Sequence, residues 1–501
     1  MTPTRVATLL ALALALSQGA ASTLAAHPPA PASGPPAAID APLVKRLAGL
    51  VASPVFHPQE TGIALVALPE GRTIYAHNAS RLLRPASTLK ILTSSAALAL
   101  LKPEFAYETR VYADAPIDAS GTLTGNLYVQ GKGAPDLVGE AWWLLTRRLA
   151  DAGLRRVAGN LIADESYFDA VRRPPGWPPP SADSWYNAPV GALSCNFNVV
   201  TVHVEPSPLA GARPDLTLEP IASYFQVLNR ATTGSQPTDI RVDRGFEDGR
   251  NTLIVGGTIR RGSEEIVVHR GVEEPALYSL HAFREIARSS GIEIAGNLSI
   301  GLVPEGARTL ARHDSRPLAS LVRDMNKNSN NFMAEMILKT LGAQFVSIPG
   351  TTAGGLEMVR TYLSGIGLDP EATALADGSG LSDQSRTSAA LLAGVLAKAQ
   401  ADFEIGPELV ASLPIGGADG TLSDRFVGEA THRRVRAKTG RISGAIALAG
   451  YVVNRSGRTF AFVVLANQPR GTIEAVHRAI DPLVDAIAES TEADLAPAGT
   501  P

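Results

Sequence analysis

Ser87 and Lys90 stand three residues apart in RPASTLKILTSSAALALL (84–101), at the head of a long apolar run with few charges. Residues i and i+3 share one face of a helix, so this spacing sets the Lys90 amine within reach of the Ser87 hydroxyl. A helix N-terminus adds free backbone N–H groups and partial positive charge beside that oxygen. The chemistry such a pair can do is nucleophilic: the serine attacks, and a lysine held neutral takes its proton. Burial in the apolar helix and a second cation nearby both favour a neutral amine. The pattern therefore asks for a second lysine.

The chain has only eight lysines. One opens Lys438-Thr439-Gly440 in RAKTGRISGAIALAGYV, which reads as the end of one strand leading into the next. A strand edge offers backbone groups to an extended peptide. Lys438 brings charge, Thr439 a hydroxyl, and Gly440 lets a substrate approach the backbone. A donor for the departing amine is available in NKNSNN (326–331), where Ser329-Asn330-Asn331 form a loop ahead of the helix-like FMAEMILKTL. Ser194-Cys195-Asn196 has the same Ser-x-Asn spacing but lies in the strand-like GALSCNFNVVTVHV, and Ser329 is preferred. Lys327 reads either as a solvated loop charge or as part of the site. Asp377 and Asp419, in glycine-rich loops, read as turn-stabilising aspartates, with a wall of the cleft as the alternative.

Ser-x-x-Lys, Ser-x-Asn and Lys-Thr-Gly, in that order, form the signature of penicillin-binding proteins and serine β-lactamases. With the long span between Ser87 and Ser329, the chain resembles the low-molecular-mass class C penicillin-binding proteins, the D-alanyl-D-alanine carboxypeptidase/endopeptidase group. NAPVGALSCNFN (187–198), DGSGLS (377–382) and LPIGGADGTLSDR (413–425) are similar to that family's stretches, whereas Arg441 stands where a threonine is common. The resemblance implies that Ser87 attacks the carbonyl of a penultimate D-alanine while Lys90 takes its proton. It implies that Ser329 relays a proton to the leaving nitrogen, with Lys438 supporting that network. Asn331 would hold a substrate amide, and Lys438 and Thr439 the terminal carboxylate, with Gly440 beside them. The oxyanion would lie between the backbone N–H groups of Ser87 and Arg441. The implied partners are peptidoglycan stem peptides and cross-links, with β-lactam antibiotics as covalent inhibitors. A serine β-lactamase, or a non-catalytic wall-binding protein on the same scaffold, are the alternatives. The long insert argues against the first, and the intact Ser87, Lys90 and Lys438 against the second.

These residues need a frame. GIALVAL (62–68) and RTIYAH (72–77) read as a hairpin, and Val435–Lys438, Ala445–Val453 and Thr459–Ala466 as three further strands, with Asn454–Gly457 as a tight turn. Strands from both ends are expected to complete one antiparallel sheet, closed by an amphipathic helix over 472–489. Residues 338–396 carry helical patterns and suggest a helical lobe. From 106 to 304 the texture is strand-like and rich in turn residues, with one amphipathic helix over 140–152, and GWPPP (176–180) reads as a rigid exposed turn. The expected fold is thus α/β (α+β), a penicillin-binding-protein/serine β-lactamase-like domain of 41–105 and 305–490. A large β-rich, two-lobed insert of 106–304 interrupts it.

Bulk properties narrow the function further. A net charge of -3 without a basic stripe excludes a nucleic-acid footprint. The start, a weakly basic stretch, an apolar run from Val6 to Leu16 and small residues after it, has the shape of a signal peptide (1–26). A Pro/Ala-rich tether (27–40) follows, so a periplasmic or otherwise extracytoplasmic protein is expected. No later segment reads as transmembrane, and 491–501 reads as a disordered tail. The single cysteine, Cys195, excludes an internal disulfide framework and a cysteine-based metal site. No zinc motif or complete dinucleotide fingerprint is present, and the reading calls for no cofactor and no metal.

Overall fold

The computed structural model describes residues 41–179, 185–247 and 250–496. The leader and tether expected at 1–40 lie outside the described residues, as does the tail from 497. Helix α1 (Pro42–Val51) leads into strands β1 (Thr61–Ala67) and β2 (Arg72–His77). After a short 3₁₀ turn at Ala86–Leu89, helix α2 runs from Lys90 to Leu101. The chain returns after the insert with helices α3 (Leu318–Asn328), α4 (Asn331–Phe345), α5 (Thr352–Gly365) and α6 (Ala389–Ala401). Strands β3 (Val435–Ile442), β4 (Ala445–Val453) and β5 (Thr459–Asn467) and helix α7 (Ile473–Glu489) close the unit.

The two chain ends build one antiparallel sheet in the order β2-β1-β5-β4-β3, as expected. Its central strands are apolar throughout because both faces are covered. Ile63, Leu65 and Ala67 point towards α1 and α7, while Ala64 and Val66 point towards the helical layer, the period-two alternation of a strand. On α7, Val476, Ile480, Leu483, Val484 and Ile487 form the buried stripe. Each such side chain contributes about 1.5–3 kcal/mol on burial before chain entropy is set against it. Helix α2 is buried on nearly every side, from Lys90 and Ile91 through Leu98, which is why its sequence shows no polar face.

Apart from a small three-stranded sheet of Thr122–Leu123, Arg156–Val157 and Glu293–Ile294, the strands of the inserted region fall into two groups. One sheet takes Leu298–Ile300, Leu161–Asp164, Leu127–Gly131, Glu108–Ala113 and Arg308–Asp314 in that order. The other group comprises the strands between Val199 and Gly271. Three expectations are corrected here. The boundary at 304/305 moves, because Arg308–Asp314 pairs antiparallel with Glu108–Ala113. A second helix, Pro275–Ser289, joins the expected one (observed at Gly139–Asp151), and Trp142 and Phe283 meet edge-to-face between them. The tail is ordered through 496: Thr491 and Asp494 form a reciprocal cap, Leu495 is buried, and Glu492 pairs with Arg458.

Candidate active site

The 3₁₀ turn at Ala86–Leu89 presents Ser87 at the mouth of α2, with Thr88 Oγ1 donating to Pro85 O (2.7 Å). One turn on, the Lys90 side chain is wholly buried. Its Nζ lies 3.0 Å from Ser87 Oγ, 2.6 Å from Asn331 Oδ1 and 2.8 Å from the Ser379 carbonyl. Burial brings the amine down to about 7, against the opposing pull of Asp377 and Glu335. A neutral amine has two N–H groups and one lone pair. The two pure acceptors, Asn331 Oδ1 and Ser379 O, take both N–H groups. The lone pair is then left for the Ser87 hydroxyl, which is the arrangement of a general base beside a nucleophile.

Asn331 comes from the junction of α3 and α4. Ser329 ends α3 in the left-handed conformation (φ 56°), and the Asn330 side chain caps α4 by accepting from Met333 N (3.0 Å). The expected loop is therefore only this junction, which holds Ser329 half-buried two residues before Asn331. Lys327, in the last turn of α3, is no solvated loop charge: its Nζ donates to Leu413 O (2.7 Å) and to both oxygens of Asp419 (2.8 and 2.7 Å). Asp419 in turn accepts from Ile415 N (2.8 Å), so α3 and the 413–421 loop are tied together.

Lys438, Thr439 and Gly440 lie in the middle of β3, not at the end of a strand as expected. The strand runs on to Ile442 and turns through Ser443 and Gly444 into β4. Ala437 N donates to Pro414 O (2.9 Å), away from β4. Alternate residues of an antiparallel strand share that orientation, so the N–H groups of Thr439 and Arg441 face the same outer edge. A Cβ placed on Gly440 would stand 3.0 Å from Ser87 N, Pro85 O and Ala86 Cβ, so glycine is what lets β3 lie against the turn that carries Ser87. Lys438 is fully buried, and burial followed by the Lys90 charge holds its amine well below the usual range. Its Nζ donates to Thr439 O (2.8 Å), and Thr439 Oγ1 donates to Thr421 Oγ1 (2.7 Å). The Arg441 side chain is exposed.

The family that matches this chain, over residues 43–490, is the D-Ala-D-Ala carboxypeptidase 3 (S13) family. The chain belongs to that family. It is a serine D-alanyl-D-alanine carboxypeptidase with the penicillin-binding-protein fold. It is 32% identical over 437 residues to a D-alanyl-D-alanine carboxypeptidase of Actinomadura sp. (strain R39), covering 84% of this chain and 80% of that one. Identity to the D-alanyl-D-alanine carboxypeptidase DacB of Haemophilus influenzae is 27%, over 82% of this chain and 86% of the other. The crystal structure of penicillin binding protein 4 (dacB) from Haemophilus influenzae superposes with a TM-score of 0.75 at 26% identity, covering 88% of this chain and 97% of that one. The same protein complexed with a β-lactam gives a TM-score of 0.70 at 25% identity, over 87% and 98% of the two chains.

Within this family scaffold, residues 169–177 and Tyr186 of the insert lie along the site. Tyr186 O accepts from Asn331 Nδ2 (3.0 Å), and Lys339 of α4 donates to Asp169 (2.5 Å) and Val171 O (2.6 Å). Trp177, expected in an exposed turn, is buried, and its Nε1 donates to Asp377 Oδ2 (3.1 Å). Its neighbouring prolines look like solvent-exposed spacers, and nothing local marks the distant acceptor. Asp377 is itself fully buried and accepts from Ser379 Oγ, Ser382 N and Ser385 Oγ, so it both braces its turn and underlies Lys90. Sequence reasoning misses Glu335 altogether: it sits in a run that reads as an ordinary helix, with no motif to single it out. Ser194 is spent in its own loop, donating to Gly191 O (2.7 Å) and accepting from Asn198 Nδ2 (2.9 Å). The expected strand there begins only at Val199, because Asn196, Phe197 and Asn198 all have positive φ. Cys195 beside it is buried, and that burial pushes its thiol up to about 12, an inert state.

Proposed function

We propose that Ser87 is the nucleophile and Lys90 the base of a peptidoglycan DD-peptidase that works through an acyl-enzyme. The observation that carries this is the Lys90 amine, whose two N–H groups have acceptors in Asn331 and Ser379 and whose remaining lone pair meets Ser87 Oγ at 3.0 Å. In acylation the Ser87 Oγ–carbon bond forms at the penultimate D-alanine carbonyl as the hydroxyl proton passes to Lys90. The backbone N–H groups of Ser87 and Arg441 receive the oxyanion. The carbon–nitrogen bond then breaks, and the departing amine takes its proton through Ser329, with Lys438 stabilising that relay. Asn331 orients a substrate amide, and Lys438 and Thr439, with Gly440 giving room, receive the terminal carboxylate. Water then attacks the ester and releases the shortened peptide, with Lys90 as base again. A free D-alanine on the leaving side makes this a carboxypeptidase reaction, and a second stem peptide there makes it an endopeptidase reaction.

The β-lactam complex of the Haemophilus relative supports penicillin as a covalent inhibitor here. The leader-like start supports action in the periplasm or otherwise outside the cytoplasmic membrane. Among the described residues no helix is long and apolar enough to cross a membrane. The test is intact mass spectrometry after incubation with benzylpenicillin, beside Ser87→Ala. A persistent adduct absent from the variant is the expected result. The absence of both an adduct and any loss of drug would overturn the catalytic reading, and loss of drug without a lasting adduct would point to a β-lactamase.

A further inference from the structure

Glu335 has no part in the acyl-transfer scheme above, yet it is a fully buried acid on α4 facing the site. Its Oε1 accepts from Gly378 N (3.0 Å) and Ser379 N (2.8 Å), and its Oε2 from Gly378 N (3.1 Å). The same peptide is gripped on its other groups. Thr93 Oγ1 donates to Gly378 O (2.6 Å), and Ser379 Oγ donates to Asp377 Oδ2 (2.8 Å). With these groups fixed, the Ser379 carbonyl is left facing Lys90 Nζ at 2.8 Å. An uncompensated buried acid is expensive, so a fully desolvated carboxylate beside a lysine needs a reason to be there.

We propose that Glu335 is a positioning residue for acyl transfer. Its carboxylate clamps the Gly378–Ser379 peptide, aims the Ser379 carbonyl at Lys90, and places buried negative charge near the amine that takes the Ser87 proton. This rests on the reading of Lys90 as the base. The clamp fixes one of the two N–H groups of neutral Lys90 and so helps direct its lone pair at Ser87. The charge acts once Lys90 has become an ammonium in a site where water cannot solvate it.

The charged groups around the pair are few. Lys90 is faced by Glu335 from α4, by Asp377 from its loop and by Lys438 from β3. Glu335 is faced by Asp377, by Lys90 and by Lys339 one turn along its own helix. Burial and Asp377 push the Glu335 carboxyl up, opposed by the Gly378 and Ser379 donors and by Lys90. The two titrate as a coupled pair, in which protonated Lys90 favours the Glu335 anion and that anion favours protonated Lys90.

The test measures β-lactam acylation against pH for the wild type, E335Q and E335D, with thermal melts of each. E335Q keeps an oxygen for both N–H donors but removes the charge. Its acid limb is expected to move to lower pH, because Lys90 has lost an anion that favours its protonated form. E335D keeps the charge but withdraws the oxygens from the peptide. Its acylation rate constant is expected to fall about tenfold or more with the acid limb unmoved and the affinity of the initial complex retained. If E335Q does not fold, E335D still decides the clamp. A folded E335Q or E335D with wild-type rate and wild-type limb overturns the proposal. So does a rate loss in E335Q matched by weaker initial binding with the limb unmoved, since that is damage to the pocket. A wild type that forms no adduct removes the reading of Lys90 and this one with it, whereas an acylated wild type with unaffected variants removes this one alone.

Discussion

The carbonyl oxygen of Tyr186 stands 3.0 Å from Asn331 Nδ2, and that contact decides which end of the Asn331 amide faces Lys90. With the nitrogen engaged by the insert, the oxygen must point inwards, and it meets Lys90 Nζ at 2.6 Å. A residue from the inserted region thus sets the orientation of a side chain in the acyl-transfer site. The family's three short motifs do not contain this link, since Tyr186 lies in none of them.

Asn331→Asp tests that orientation through pH. In the wild type, acylation should rise with pH as Lys90 loses its proton, with an apparent midpoint near the value of about 7 that burial gives its amine. An aspartate at 331 would set a carboxylate against the amine and favour its protonated form. The acid limb should therefore move to higher pH, with acylation at neutral pH reduced about tenfold or more and partly recovered in alkali. Fluorescent-penicillin labelling across a pH series reads this directly. A uniform loss at every pH would mean that Asn331 acts on substrate alone.

Much of this arrangement is legible in the amino-acid sequence. Ser87, Lys90, Ser329, Asn331, Lys438, Thr439 and Gly440 carry their proposed roles in short spacings, because a helix start, a helix junction and a strand edge are local structures. The central sheet is equally legible, since β1, β4 and β5 are apolar runs of strand length bounded by turn residues. What is not legible depends on distant contacts. Glu335 looks like any helical glutamate until Gly378 and Ser379 fold against it. Trp177 looks exposed until Asp377 is placed beneath it. The unexpected helix at Pro275–Ser289 is different: proline at its first position and Ala276, Leu280, Phe283 and Ala287 on one face are a readable signal, masked by the glycine-rich strands around it.

Asp419→Asn isolates the tie between α3 and the 413–421 loop. Burial pushes the Asp419 carboxyl up, but the Lys327 hydrogen bond and the Ile415 N–H carry it below its ordinary 3.8. A carboxyl with a depressed folded value stabilises the protein above the unfolded value, and that contribution is lost as pH falls through the folded one. The variant should therefore be less stable near neutrality, by about 1–2 kcal/mol given the partial exposure of Asp419. The difference from wild type should shrink as the pH is taken below 3.8. Urea unfolding at neutral and acid pH measures both. Equal stability at neutral pH would mean that Leu413 O alone satisfies the Lys327 amine.

Gly440→Ala tests the distance between β3 and the turn that carries Ser87. The new methyl would stand 3.0 Å from Ser87 N, Pro85 O and Ala86 Cβ, closer than such atoms ordinarily pack. Two of those neighbours are backbone atoms of the turn that carries Ser87, so the strand edge has to move away by a few tenths of an ångström. The proposed oxyanion site spans this gap, with one N–H on each side of it. Small displacements of that kind cost up to about a hundredfold in rate while leaving the fold intact. The expected result is therefore a melting temperature near that of the wild type, an unshifted acid limb, and acylation slowed by one to two orders of magnitude. Wild-type acylation in a folded variant would show that the Arg441 N–H takes no part in holding the oxyanion. A moved acid limb would instead place the damage at Lys90.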